Sequence, residues 1–308
     1  MGEIIVDSGF GFLKSRELAL MVIAAFCALL AMPYCRSFAS RLGLTKKINN
    51  DEPVPVVGGI IVCLFAACMV LMHINRLLMS GVFLMALYGI VNDRFSLGSL
   101  ASLAFEFVLC VVYLSVGYGG IYPMFWLHLF LMICVISSIK MLDGIDGLPI
   151  AIFIVAFIPL ALIGYKIFIT SICGALIVLY YFNVFNRHSK IALGNGTSMS
   201  LGFMIAALIF SPGFVVYGSL DQASWYCALD SIMFVLLILP FPLIDMVRSF
   251  CHRIVRGRPL LFQDNSQLHI LLSHKGLRPG LVSLLVVCVN IVGFIAVWIL
   301  MDLIEIIL

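Results

Sequence analysis

Ten apolar runs, separated by short polar turns, leave a chain like this few ways to fold. A bilayer core takes about 20 residues of helix, with about 17 as the short limit. Inside lipid every backbone N–H and C=O must find its partner within the protein, which selects helices. The runs cover residues 17–35, 57–74, 77–91, 99–117, 124–141, 148–164, 167–183, 199–217, 228–247 and 280–303. The third is short, and either stands upright or continues into the turn at Asn92. The chain is 63% hydrophobic and only 11% charged, where a soluble domain carries about a quarter charged residues. The expected fold is all-α: a polytopic integral membrane protein of about ten transmembrane helices, with one transmembrane domain over 1–308 and a long loop at 248–279. The first run, from Leu18 to Pro33, is followed by no small-residue cleavage site and reads as a retained helix.

The basic residues fall on one side. Loops after odd-numbered runs hold Arg36, Arg41, Lys46, Lys47, Arg94, Lys140, Arg187, Lys190, Arg248, Arg253, Arg256, Arg258, Lys275 and Arg278, fourteen of the eighteen. The opposite side keeps Lys14, Arg16, Arg76 and Lys166. The positive-inside rule makes the first side cytoplasmic and puts both termini outside. Tyr122, Trp126 and Trp225 suit an interfacial aromatic belt at the other face. A net charge of +3 gives no global field for nucleic acid. Most of the ten cysteines lie within apolar runs and none forms a CxxC pair, so they read as small apolar fillers. Glu106 and Asp230 are the main intramembrane acids, too few to line a transport path.

Five segments on the basic side carry polar chemistry. In Lys140-Met141-Leu142-Asp143-Gly144-Ile145-Asp146-Gly147-Leu148, two carboxylates three residues apart share one side of a helical turn. They read either as a polar turn with a helix cap or as a pair neutralised by a cation, usually Mg²⁺ carrying substrate phosphates. Pro53 to Gly59 is a proline-stiffened loop before two glycines that admit a close neighbour. Asp93, in Asn92-Asp93-Arg94, is either a metal ligand or the N-cap of the next helix. Phe182-Asn183 precedes Gly194-Asn195-Gly196-Thr197-Ser198, either a phosphate cradle of backbone N–H groups or a plain helix start. The long basic loop, with Arg253, Arg256, Asp264 and His269, serves as an orientation signal, an anionic-lipid contact or a site for a nucleotide diphosphate.

Taken in order, these segments resemble the polyprenyl-phosphate N-acetylhexosamine-1-phosphate transferases of bacterial envelope synthesis. The resemblance covers Pro55 to Gly276. It is carried by Pro55-Val56-Val57-Gly58-Gly59, by Leu142 to Leu148, and by Phe182-Asn183 with Leu193-Gly194-x-Gly196-x-Ser198-x-x-Leu201-Gly202. Pro242-Leu243-Ile244-Asp245-x-x-Arg248 with the Arg253…Gly257-Arg258 loop completes it. It implies transfer of a sugar-1-phosphate from a UDP-N-acetylhexosamine to undecaprenyl phosphate, with release of UMP, at the cytoplasmic face of the bacterial inner membrane. It also implies Mg²⁺ (or Mn²⁺) on the diphosphate, membrane lipids as further contacts and a possible homodimer. Carried over by position, Asp93, Asp143 and Asp146 are the catalytic candidates, and Asp143, Asp146 and Asn195 the metal ligands. Lys47, Asn183, Gly194, Gly196, Ser198, Arg253, Arg256 and His269 are the substrate-binding candidates.

The chain departs from the family pattern at charged positions. Paired aspartates stand as Asn92-Asp93, and the aspartate of Gly-Asp-x-Gly-Ser is Asn195. Two asparagines before the central motif are Ser137 and Lys140. The His-x-His-His motif reads Gln267-Leu268-His269-Ile270, and a basic-plus-histidine approach is Asn49 and Asn50. Lys140 is therefore expected either to pair with Asp143 or Asp146 as a partial metal substitute, or to snorkel to lipid phosphates. The alternative to an active transferase is a degenerate relative that binds polyprenyl phosphate, a nucleotide sugar or a partner enzyme without transfer.

Overall fold

The computed structural model describes residues 15–46, 53–160, 166–185, 190–211, 225–259 and 266–307. The helices are α1 (Ser15–Arg41), α2 (Gly58–Leu71), α3 (Arg76–Phe95), α4 (Ser99–Tyr118), α5 (Phe125–Met141) and α6 (Leu148–Leu160). They continue with α7 (Lys166–Tyr180), α8 (Asn195–Ile209), α9 (Trp225–Ile238), α10 (Pro240–Val255), α11 (Leu268–His274) and α12 (Pro279–Ile307). A π turn, Tyr181–Phe185, extends α7.

Four helical segments are long and apolar enough to cross a membrane singly: residues 16–41, α3, α4 and residues 280–300 of α12. The α9–α10 pair makes a fifth if counted as one bent span. Shorter apolar helices occupy α2, α5, α6, residues 169–185 and α8. Each of the ten expected runs overlaps one of these helices among the described residues, and four or five of the helical units have the length of a span. The chain is an all-α, multi-pass membrane protein.

The boundaries correct the sequence reading in three places. α1 passes through Pro33, on an exposed side, and ends at Arg41 rather than at 35. Of the two alternatives for the short third run, α3 takes the second and runs past Asn92 to Phe95. The run 228–247 is not one helix, because the chain turns by 102° at Leu239. Pro240 opens α10 at its first turn, where a missing N–H costs nothing. The next free donor, Phe241 N–H, is taken by the side-chain oxygen of Asn290 on α12 at 3.2 Å. The expected loop 248–279 is likewise partly helical, holding the end of α10 and all of α11.

α8 is the axis of the bundle. Every residue from Gly196 to Ile209 is buried, and the hydroxyls of Thr197 and Ser200 are satisfied by carbonyls one turn back. α2, α3, α5 and α6 pack on it. A methyl group at Gly89 of α3 would stand 2.4 Å from the Gly196 Cα, so these backbones touch. Both ends of α8 are satisfied by protein. Tyr113 and Tyr118 of α4 donate to the carbonyls of Ala207 and Phe210 at 2.8 and 3.2 Å. At the other end its first N–H groups meet a carboxylate.

Strands β1 (Thr45–Lys46) and β2 (Val54–Pro55) pair antiparallel beside that end. Val56 bridges to Ala192 in parallel. This small ladder fixes the backbones of three otherwise separate loops.

Candidate active site

Asp93, in the last turn of α3, receives the start of α8. Its Oδ1 accepts the Asn195 N–H at 3.0 Å and the Asn195 side-chain amide at 2.8 Å, and its Oδ2 accepts the Gly196 N–H at 3.3 Å. Asp93 thus caps a helix, but α8 and not the following α4. The carboxylate sits where the sequence suggested a phosphate cradle, and the positive end of the α8 dipole favours it there. Gly194 adopts φ +76, and any side chain there would meet Val56 and Asp93. Gly196 is held against α2 and α3, while the Ser198 hydroxyl is buried and points to the Gly194 and Asn195 carbonyls at 3.4 Å. These three expected substrate contacts are building elements of the α8 start. Asn92 turns away, its side-chain oxygen accepting the Leu97 N–H at 3.0 Å.

The turn between α5 and α6 carries Asp143 and Asp146. Asn183, buried on the π turn, shapes it: its side-chain oxygen accepts the Gly147 N–H at 2.5 Å and its amide donates to the Ile191 carbonyl at 2.8 Å. Gly147 adopts φ +75 where it donates that bond, with Tyr180 and Val184 packed on it. Asn183, expected at the substrate, is a positioning residue in this arrangement.

Each aspartate faces a lysine that the sequence reading did not place in the site. Lys46 Nζ is 3.5 Å from Asp143 Oδ2, and Lys190 Nζ is 2.6 Å from Asp146 Oδ2. Lys46 also acts electrostatically on Asp93, and Asp143 feels both other aspartates, so the three acids form one cluster. Burial raises the Asp143 carboxyl above its ordinary pKa. Lys46 opposes that rise, and Asp93 and Asp146 add to it.

Lys140 does not pair with Asp143 or Asp146. It donates to Glu106 Oε1 on α4 at 2.9 Å, with Glu106 only 1% exposed. A lysine in the last turn of α5 reaches sideways to the neighbouring helix, whereas Asp143 lies beyond the helix end. The expected metal substitute is therefore a partner for a buried acid.

His269 is brought to the site. Asp245 on α10 accepts the Leu268 N–H with both oxygens at 3.2 and 3.1 Å and binds Arg248 at 2.8 Å, fixing the start of α11. His269 is fully buried, with Nδ1 3.8 Å from Asp245 and Nε2 against Gly144. Neither ring nitrogen has a hydrogen-bond partner among the described residues. Arg253 is buried with its guanidinium over Phe250, and Arg256 is exposed just past α10. Lys47, Asn49, Asn50, Arg187 and Asp264 lie outside the described residues, as does the side chain of Asp230.

The donors as arranged do not form a cage for Mg²⁺. Asp93 spends both oxygens on α8, Asn195 turns its amide to Asp93, and the other two aspartates hold lysines. Among the described residues no three His, Cys, Asp or Glu side chains converge on one point.

Residues 75–212, which carry α3 to α8 and all three aspartates, match the model of Glycosyl transferase family 4. The chain is 22% identical to a probable undecaprenyl-phosphate N-acetylglucosaminyl 1-phosphate transferase of Bacillus subtilis, over 91% of this chain and 83% of the relative. It is 23% identical to a decaprenyl-phosphate N-acetylglucosaminephosphotransferase of Mycolicibacterium smegmatis, over 89% and 78%. It is 24% identical to an undecaprenyl-phosphate alpha-N-acetylglucosaminyl 1-phosphate transferase of Escherichia coli, over 79% and 72%. With its motif segments gathered at one end of an all-α membrane bundle, the chain is similar to polyprenyl-phosphate N-acetylglucosamine-1-phosphate transferases along most of its length, and to Glycosyl transferase family 4 over residues 75–212.

Proposed function

We propose that the protein transfers an N-acetylhexosamine-1-phosphate from a UDP-sugar to undecaprenyl phosphate, releasing UMP, at the cytoplasmic face of the bacterial inner membrane. The observation that carries this reading is the cluster of Asp93, Asp143 and Asp146 with Lys46 and Lys190 at one end of the bundle, where His269 and Ile270 of α11 pack on Gly144. α10 supplies a lipid side and a polar side. Ile244, Val247 and Ile254 are exposed along one stripe, while Asp245, Ser249 and Arg253 are buried along the other. A helix of this kind suits a prenyl chain on its outer face and a phosphate on its inner one.

In the transfer, a lipid phosphate oxygen attacks the β-phosphorus. The new O–P bond forms as the bond from the β-phosphorus to the bridging oxygen breaks, and that oxygen leaves with UMP. The nucleophile is already an anion, so no general base is needed. The site must supply alignment and charge neutralisation. Lys46 and Lys190 are the nearby cations, the aspartates aim them, and the buried His269 faces the same turn through Nε2.

The test is UMP release from UDP-GlcNAc with undecaprenyl phosphate by the purified chain. Activity that falls on Lys190→Gln supports the reading. An inert wild type that gains activity as Asn92→Asp/Asn195→Asp decides for the degenerate relative.

A further inference from the structure

The acids of this site are balanced from within the protein, and the balancing groups are built in. Lys190 is not on a free loop: Ile191 N–H donates to the Phe182 carbonyl, Ala192 N–H to the Pro55 carbonyl, and Val57 N–H to the Ala192 carbonyl. Asn183 holds the Ile191 carbonyl with one end of its amide and the Gly147 N–H with the other. One buried side chain therefore sets the position of both Lys190 and Asp146. Lys46 belongs to the same ladder through its pairing with Val54, and the neighbouring Val56 N–H donates to the Leu44 carbonyl at 2.9 Å.

The third acid is balanced differently. Asp93 takes two backbone N–H groups at the positive end of α8 and the amide of Asn195. An aspartate at 195 has no amide to donate, and would set a carboxylate against a carboxylate. Three carboxylates thus face two ammonium groups and a helix N-terminus.

We propose that Lys46 and Lys190 are the resident cations of this site: they take the place of a protein-bound divalent ion beside Asp143 and Asp146, and they bind a nucleotide diphosphate directly. The diphosphate part rests on the transferase reading. A lysine ammonium is a compact point charge suited to a phosphate oxygen. When a diphosphate arrives, each lysine exchanges a carboxylate for a phosphate oxygen and the site keeps its cations.

The experiment uses the full chain in nanodiscs, with UDP as probe by calorimetry and Mn²⁺ by electron paramagnetic resonance. In EDTA, wild-type protein is expected to bind UDP within about threefold of its affinity in Mg²⁺, a difference below ~1 kcal/mol. Lys190→Gln and Lys46→Gln should each weaken metal-free UDP binding by about tenfold or more, the worth of a charge-assisted contact. Lys190→Arg should retain most of it. The glutamine variants and Asn195→Asp should bind Mn²⁺ more tightly than wild type. The proposal is overturned if folded wild-type protein binds UDP only with metal. It is equally overturned if wild-type protein holds one Mn²⁺ whose affinity the lysine variants leave unchanged. Absence of UDP binding with and without metal, in protein that still unfolds cooperatively, overturns the transferase reading and the proposal with it.

Discussion

Glu106 and Lys140 form an ion pair between α4 and α5, with the acid 1% and the lysine 22% exposed. Removing one partner leaves the other charge buried, which costs about 3–5 kcal/mol, while replacing both is close to neutral. Lys140→Met or Glu106→Leu alone should therefore lower the unfolding temperature in detergent sharply. The double variant should recover most of the loss. Asp143 makes the opposite prediction, because its folded-state pKa lies above the unfolded value. A carboxyl raised in this way binds more protons folded than unfolded, so the protein loses stability as pH climbs from about 3.9 toward the raised value. Asp143→Asn should match wild type near pH 4 and exceed it at neutral pH in metal-free protein, as read by thermal unfolding across that range. Destabilisation of this kind is common where a group is kept for ligands rather than for packing.

The element that bends the bundle is the α9–α10 break, and its stability rests on a neighbour. Asn290 of α12 accepts the Phe241 N–H, and Gly293, one turn further, lies flat on Pro240. Asn290→Leu would leave that N–H buried and unpaired, at a cost of about 1–3 kcal/mol. The variant should unfold earlier, and α10 should be cut faster by protease. Contacts at the α8 start admit less tolerance. Gly89→Ala would press a methyl into the Gly196 backbone, which cannot yield as a flexible side chain would. Loss of folded protein by size-exclusion chromatography is the expected result.

Across the whole molecule, the apolar runs announced the helices because lipid imposes one length and one hydrogen-bonding solution on every span. The break at Leu239 stayed hidden, since Pro240 and Pro242 sit inside an unbroken apolar run and the residue that makes the bend affordable, Asn290, comes 49 positions after Phe241, whose N–H it accepts. The aspartates were legible from their motifs. Their partners were not: Lys46 lies 97 residues from Asp143 and Lys190 lies 44 from Asp146, while Lys140 drew attention by sitting one turn before Asp143. Sequence nearness suggested a pair that helix direction forbids. Of the two uses the sequence offers Asp93, metal ligand or cap of the next helix, the cap points to the wrong helix, because only the fold brings Asn195 to it across 102 residues.

α8 has fifteen residues and so rises about 22 Å, against a hydrocarbon layer of about 30 Å. Alone it falls about 8 Å short of a full crossing, yet its flanks, buried from Gly196 to Ile209, face other helices rather than lipid. A helix wrapped in this way is released from the length that lipid imposes, and its start is placed by what packs on it. Its first turn is thereby left to carry the Asp93 cap and the acids gathered around it.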